Sequence, residues 1–149
     1  MILVTGGAGF IGSNLVAALD DRGTRVCVSD RLGTDDKWKN LQAHELDELV
    51  DPSALDDLLA RRARDIEAVV HMGAISATTE TDVDLILDNN LRLSQQLWTW
   101  CAQHGVPLIY ASSAATYGDG AEGFADDDTP EALTRLRPLN AYGWSKHLF

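Results

Sequence analysis

The chain's strongest chemistry-bearing pair is Tyr142 and Lys146, in Tyr142-Gly143-Trp144-Ser145-Lys146. On a helix, residues four apart share one face. A phenol is a poor base at its ordinary pKa of about 10. A nearby ammonium favours the phenolate, which lets the tyrosine take a proton from an alcohol near neutral pH. Upstream, Ser113 closes the run Tyr110-Ala111-Ser112-Ser113 and offers a hydroxyl to hold the reacting oxygen. Tyr-x-x-x-Lys alone is a weak signal that arises by chance. Its weight comes from the other end of the chain.

There, Met1-Ile2-Leu3-Val4-Thr5 runs into Gly6-Gly7-Ala8-Gly9-Phe10-Ile11-Gly12, and an apolar-periodic segment with Leu15, Val16 and Leu19 follows. This reads as a strand, a tight turn and a helix. Gly6, Gly9 and Gly12 sit where side chains would keep a phosphate off the turn and off the helix N-terminus, whose free N–H groups and dipole favour an anion. A glycine-rich turn without a ligand is the bland alternative, and the preceding buried-type strand favours a dinucleotide instead. Asp30 follows the second strand, where a carboxylate accepts hydrogen bonds from adenosine ribose hydroxyls. Arg31 beside it, with Lys37 further on, suits a 2′-phosphate. A strand-end aspartate with basic surface neighbours is the competing reading.

These groups need elements to place them. A helix is expected from about Phe10 to Asp21, ended by Gly23, then a strand over 24–29. Residues 32–40 read as a loop with room for one helical turn, and a weak third strand is placed around 42–46. Ser53 is expected to cap a helix carrying Leu55, Leu58 and Leu59. Residues 67–72 form the next strand, stopping at Gly73-Ala74. A continuous helix over about 82–103 is expected to face inward with Leu85, Ile86, Asn89, Leu93, Leu97 and Trp100. Residues 106–111 give a fifth strand, and a last helix begins near Asn140. Alternating strands and helices predict an α/β, Rossmann-type, doubly wound parallel sheet with helices on both faces. Ser113 then falls at the carboxyl edge of that sheet, where open α/β folds bind ligands. His71, at a strand end, reads as a packed histidine, Trp98 and Trp100 as helix packing, and Cys27 as core.

The 149 residues suit one domain, with 1–149 expected to be a dinucleotide-binding domain. No apolar run reaches membrane-spanning length, no signal peptide is evident, and a net charge of −11 argues against nucleic acid. The two cysteines, Cys27 and Cys101, read as buried thiols suited to a reducing cytoplasm. Asp126-Asp127-Asp128 reads as a solvated loop, with no metal site expected. Because His147-Leu148-Phe149 stops in mid-helix, the chain is expected to be the N-terminal part of a longer protein, truncated before a substrate-binding domain. On its own it is expected to be inactive, with an exposed apolar sheet edge and a tendency to associate.

Across its whole length the chain resembles the extended short-chain dehydrogenase/reductase family, and within it the ADP-L-glycero-D-manno-heptose 6-epimerases. The wider likeness rests on Val4-Thr5-Gly6-Gly7-Ala8-Gly9-Phe10-Ile11-Gly12 and Arg137-Pro138-Leu139-Asn140-Ala141-Tyr142-Gly143-Trp144-Ser145-Lys146. The narrower likeness rests on Thr78-Thr79-Glu80, Asp88-Asn89-Asn90 and Ser112-Ser113-Ala114-Ala115-Thr116-Tyr117-Gly118. The resemblance implies a catalytic trio of Ser113, Tyr142 and Lys146. It implies cofactor contacts at Phe10, Ile11, Asp30, Arg31, Lys37, Met72, Gly73, Ala74, Ile75, Ser76 and Asn89, besides Tyr142 and Lys146. It further implies a nucleotide-sugar substrate such as ADP-heptose, a role in lipopolysaccharide precursor biosynthesis, and a homo-oligomer at full length. Arg31 departs from the small polar residue usual after Asp30, and Asp51-Pro52-Ser53 stands where the family has a further basic contact. Arg31 and Lys37 offset that loss, which favours NADP with NAD as the alternative. Another nucleotide-sugar 4-epimerase, dehydratase or reductase is a rival within the fold. Ala114-Ala115-Thr116-Tyr117 counts against a dehydratase, which places an Asp-Glu pair there. A cofactor-binding module without catalysis is the rival from another class.

Overall fold

The computed structural model describes residues 1–34 and 36–149. They group into two compact units, Met1–Gly73 with Leu97–Tyr110, and Ala74–Gln96 with Ala111–Phe149. The first unit carries the sheet. Its strands are β1 (Ile2–Thr5), β2 (Val26–Ser29), β3 (Glu48–Val50), β4 (Ala68–His71) and β5 (Leu108–Tyr110), in the spatial order β3-β2-β1-β4-β5. Every pairing is parallel, with Thr5 opposite both Ser29 and His71. The order reverses at β1, so the carboxyl ends of β1 and β4 frame the switch point where such sheets bind ligands.

Both faces of the sheet are covered, as its near-continuous apolar strands require. Val4, Val26, Val28 and Val70 form one core with Val16 of α1 (Phe10–Asp20), flanked by Leu15 and Leu19. Leu3, Cys27 and Val69 alternate with them and are equally buried. Leu55, Leu58 and Leu59 of α2 (Leu55–Arg61) are buried as well. The β1–β2 and β3–β4 crossovers run in opposite directions along the sheet, so right-handed connections put α1 and α2 on opposite faces.

Three expectations are corrected. The third strand is Glu48–Val50, not 42–46, because parallel register sets Glu48 against Cys27. That edge is blunted by Glu48 pairing with Arg61 and Arg62, beside an Arg25–Asp47 pair. Asp51, not Ser53, is the cap: its carboxylate accepts from the Ser53 N–H at 2.9 Å, ahead of the 3-10 turn Pro52–Ala54. The long helix is broken in two. After α3 (Val83–Leu87) comes a π turn, Asp88–Arg92, and only then α4 (Leu93–His104). Ile86 and Leu97 are buried as expected, but the extra residue slips the face between them, so Asn90, Ser94 and Cys101 are buried in place of Leu85, Asn89, Leu93 and Trp100.

In the second unit, Asp126-Asp127-Asp128 is exposed and irregular, as expected, and a short helix not foreseen, α5 (Pro130–Leu133), capped by Thr129, follows it. The chain's last helix is α6 (Ala141–Leu148), capped by Asn140, whose side-chain Oδ1 accepts from the Gly143 N–H at 2.8 Å. Trp98 is 59% exposed, more than the packing expected of it implies, and Trp100 stacks on His104 at 4.3 Å.

A methyl group at Gly12 would stand 2.1 Å from the Gly6 carbonyl oxygen, while Gly23 has open space and only a positive φ of 67°. In urea unfolding of the chain, Gly12→Ala is expected to cost about 2–4 kcal/mol. Gly23→Ala is expected to cost about 1 kcal/mol.

Candidate functional site

The glycine turn is shaped by what its backbone must approach. Gly6 has φ of 66°, and a Cβ there would lie 2.6 Å from Gly73. At Gly7 a Cβ would meet Val28 at 2.7 Å. Gly9 opens α1 without a side-chain cap, leaving the first-turn N–H groups for an outside acceptor. Phe10 and Ile11 stand 85% and 64% exposed beside it, unusual for apolar residues unless something covers them.

Asp30 is buried at the end of β2, one residue beyond the Thr5–Ser29 pairing. One carboxylate oxygen accepts from the Ala8 N–H at 2.8 Å, the other from Lys37 Nζ at 2.6 Å. Lys37 also donates to the Arg31 carbonyl, and Asn40 donates to the Ala8 carbonyl at 2.9 Å. The backbone of Ala8 is therefore held at both its N–H and its carbonyl. Asn40 was missed in the sequence, where nothing sets it apart from its polar neighbours. Arg31 is exposed, with Asp51 3.9 Å away. At the switch point, Gly73 N–H donates to Thr5 Oγ1 at 3.1 Å, and that hydroxyl lies 2.5 Å from His71 Nδ1. His71 is fully buried and tilted against Tyr110, a packed histidine as read. Bare glycine backbone, an uncapped helix start and a strand-end carboxylate fit the pyrophosphate and adenosine ribose of a dinucleotide.

The second unit holds the catalytic candidates. Ser113 caps the 3-10 turn Ala114–Tyr117, its Oγ accepting from the Ala115 N–H at 3.1 Å. Its own O–H remains available to donate. Helix α6 lies tight on this turn, since a Cβ at Gly143 would meet the Ala115 carbonyl at 2.6 Å. Tyr142 is half-buried, and Lys146, one turn on, is 4% exposed with Nζ donating to the Ala111 carbonyl at 2.7 Å. Burial pushes the Lys146 ammonium down to about 8. A groove of about 480 Å³ lies alongside, lined by Ser112, Thr116, Tyr117 and Asp126 among others.

Ala74 and Ile75 are half-buried and Ser76 is exposed. Asn89 is also half-buried, and its amide donates to Leu85 of its own helix at 2.8 Å. The asparagine on the inner face is Asn90, fully buried. It accepts from the Ile75 N–H at 2.8 Å and donates to the Ile75 carbonyl and to Ser145 Oγ. Sequence periodicity chose the wrong neighbour because the π turn is invisible to it. Cys27 and Cys101 are buried free thiols, and burial pushes Cys27 up to about 11. Among the described residues no group of three or more His, Cys, Asp or Glu could hold a metal ion, and no helix is long and apolar enough to cross a membrane.

Fold and site together define a nicotinamide-dinucleotide-binding protein of the extended short-chain dehydrogenase/reductase type. The chain belongs to the NAD dependent epimerase/dehydratase family, whose model matches residues 2–149. It is 49% identical to an ADP-L-glycero-D-manno-heptose-6-epimerase of Fusobacterium nucleatum, covering 100% of this chain and 46% of the relative. It is 50% identical to the enzyme of that name from Nitratidesulfovibrio vulgaris, over the same shares. The chain thus spans about half the length of these relatives. Among solved structures it is similar to the Helicobacter pylori ADP-L-glycero-D-manno-heptose-6-epimerase, with a TM-score of 0.76 and 28% identity over 97% of this chain and 47% of the other. A UDP-glucuronic acid 4-epimerase from Bacillus cereus, in complex with NAD, gives a TM-score of 0.79 and 30% identity over 97% and 48%.

The depressed Lys146 pKa has a stability consequence. Below pH 8 the fold must bury an ammonium, and that cost fades as pH rises from about 8 towards the ordinary 10.5, where the unfolded chain also loses its proton. Lys146→Met is therefore expected to stabilise the chain at pH 7 by about 1–3 kcal/mol, after allowing for the lost bond to Ala111. In urea melts this advantage should shrink steadily between pH 8 and pH 10.5.

Proposed function

We propose that the protein carrying this chain is an NADP-using ADP-L-glycero-D-manno-heptose 6-epimerase, working in the cytoplasm as a homo-oligomer in lipopolysaccharide precursor biosynthesis. The observation that carries the reading is the set Ser113, Tyr142 and Lys146. One helix presents a phenol and a buried lysine at four-residue spacing, and the turn packed on it carries a hydroxyl ready to donate. The names of the relatives supply the sugar. The chain is read as the cofactor-binding portion, and the 149 residues alone are expected to give no turnover.

The turn from Gly6 to Gly12 and the start of α1, with Phe10 and Ile11, would hold the pyrophosphate, and Asp30 the adenosine ribose. Arg31, exposed at the end of β2, would meet a 2′-phosphate, with Lys37 adding positive charge; Asp51 beside Arg31 tempers that preference. Residues 72–76 and Asn89 would line the remainder, and Lys146 would hold the nicotinamide ribose. The bound nicotinamide supplies a hydride acceptor and donor. Tyr142, as phenolate, would take the proton from the C6 hydroxyl, favoured by the charge of Lys146. Ser113 would donate to the same oxygen as it becomes a carbonyl oxygen. With the hydride given back to the opposite face of the ketone, return of the proton from Tyr142 would complete inversion with no net oxidation.

The full-length protein incubated with ADP-D-glycero-manno-heptose should yield the C6 epimer; inertness towards it alongside turnover of a UDP-sugar would refute the sugar assignment. Tyr142→Phe should lower turnover by about 10³-fold or more while leaving cofactor affinity within a few-fold. Arg31→Ala should weaken NADPH binding by about tenfold and leave NADH binding nearly unchanged; equal losses for both would overturn the 2′-phosphate role.

A further inference from the structure

We propose that Asn90 is a positioning residue that ties the Ala74–Ser76 loop to helix α6 through Ser145, so that the loop and the backbone of Tyr142 are held as one body. Asn90 is fully buried in the π turn between α3 and α4, and its side chain is completely engaged. Its carbonyl accepts from the Ile75 N–H at 2.8 Å, and its two amide hydrogens go to the Ile75 carbonyl at 2.9 Å and to Ser145 Oγ at 3.0 Å. Ser145, equally buried, donates its own hydroxyl to the Tyr142 carbonyl at 2.7 Å. Polar side chains therefore bridge the peptide of Ile75 to the peptide of Tyr142 without a break.

The π turn is what makes the bridge. One inserted residue swings Asn90 inward where regular winding would favour its neighbour, and such turns recur at functional sites. The distortion is itself supported, because Ser94 Oγ donates to the Asn90 carbonyl at 2.5 Å. Only an amide of this length matches the demand. It must accept from the Ile75 N–H while donating to the carbonyl of the same residue and to a hydroxyl. Aspartate offers acceptors at all three points, and alanine leaves the Ile75 peptide unpaired.

This inference rests on reading residues 74–76 as a cofactor-contacting loop, and its test is kept separate from the sugar. In the full-length protein, NADPH and NADH affinities are measured by fluorescence for Asn90→Ala, Asn90→Asp, Ser145→Ala and the Asn90→Ala/Ser145→Ala pair. Each single change should weaken the preferred cofactor about tenfold, and the pair should be no weaker than Asn90→Ala alone. Ser145→Ala should also shift the acid limb of the turnover–pH profile, because the Tyr142 backbone is no longer held. Losses that multiply in the pair, or unaltered affinity and pH profile in Ser145→Ala, would overturn the proposal. If Asn90→Ala fails to fold, Ser145→Ala alone decides. Coupled cofactor binding in a protein that leaves the heptose untouched would count against the proposed substrate and not against this bridge.

Discussion

A buried carboxylate needs donors, and the first unit is arranged to give Asp30 two of them. The Ala8 N–H meets one oxygen and Lys37 the other. Without them, burial at this strand end would cost several kcal/mol. Meeting that need fixes much else. The Ala8 peptide must lie under β2, so Gly7 can carry no side chain against Val28. The turn must double back, so Gly6 takes a positive φ and Gly12 lies against the Gly6 carbonyl. The helix then starts without a side-chain cap, which leaves its first N–H groups directed outward. An uncapped helix start and a buried aspartate are two results of one backbone path.

The second unit uses the same logic with neutral groups. Asn140 caps α6, Gly143 lets the helix settle on the Ala115 carbonyl, and Asn90 with Ser145 joins peptide to peptide. The two asparagines satisfy backbone groups of Gly143 and Ile75, and the missing Cβ at Gly143 allows the close approach. The outcome is a helix whose axial position and rotation are fixed from several directions. Such fixing is what the proton transfer proposed for Tyr142 would require, because a displacement of about 1 Å costs far more rate than stability.

Much of this was legible in the residues because it follows from local rules. The glycine turn, Asp30, the Asn140 start of α6 and the Tyr142–Lys146 face depend on contiguous patterns, and the parallel sheet follows from alternation. What escaped depends on partners distant in sequence or on a break in period. β3 is placed by its register with Cys27 and by Arg61 and Arg62, not by its own three residues. Asn40 matters only because Ala8 lies above it. The inward turn of Asn90 cannot be read from a regular 3.6-residue pattern, since the π turn is what changes the phase. The cap of α5 was readable, as Thr129-Pro130-Glu131 carries the usual start signals, but the surrounding acidic residues masked it.

The placement of Lys146 has a further consequence for how such a site works. Its Nζ donates to the Ala111 carbonyl, a neutral acceptor, and burial lowers its pKa to about 8. Near neutral pH, then, the ammonium exists at a cost that water no longer relieves. Any group that supplies oxygen acceptors beside Nζ, whether ribose hydroxyls or a phenolate at Tyr142, would recover part of that cost and draw the proton more firmly onto the lysine. Binding of such a ligand and protonation of Lys146 are linked functions, each favouring the other.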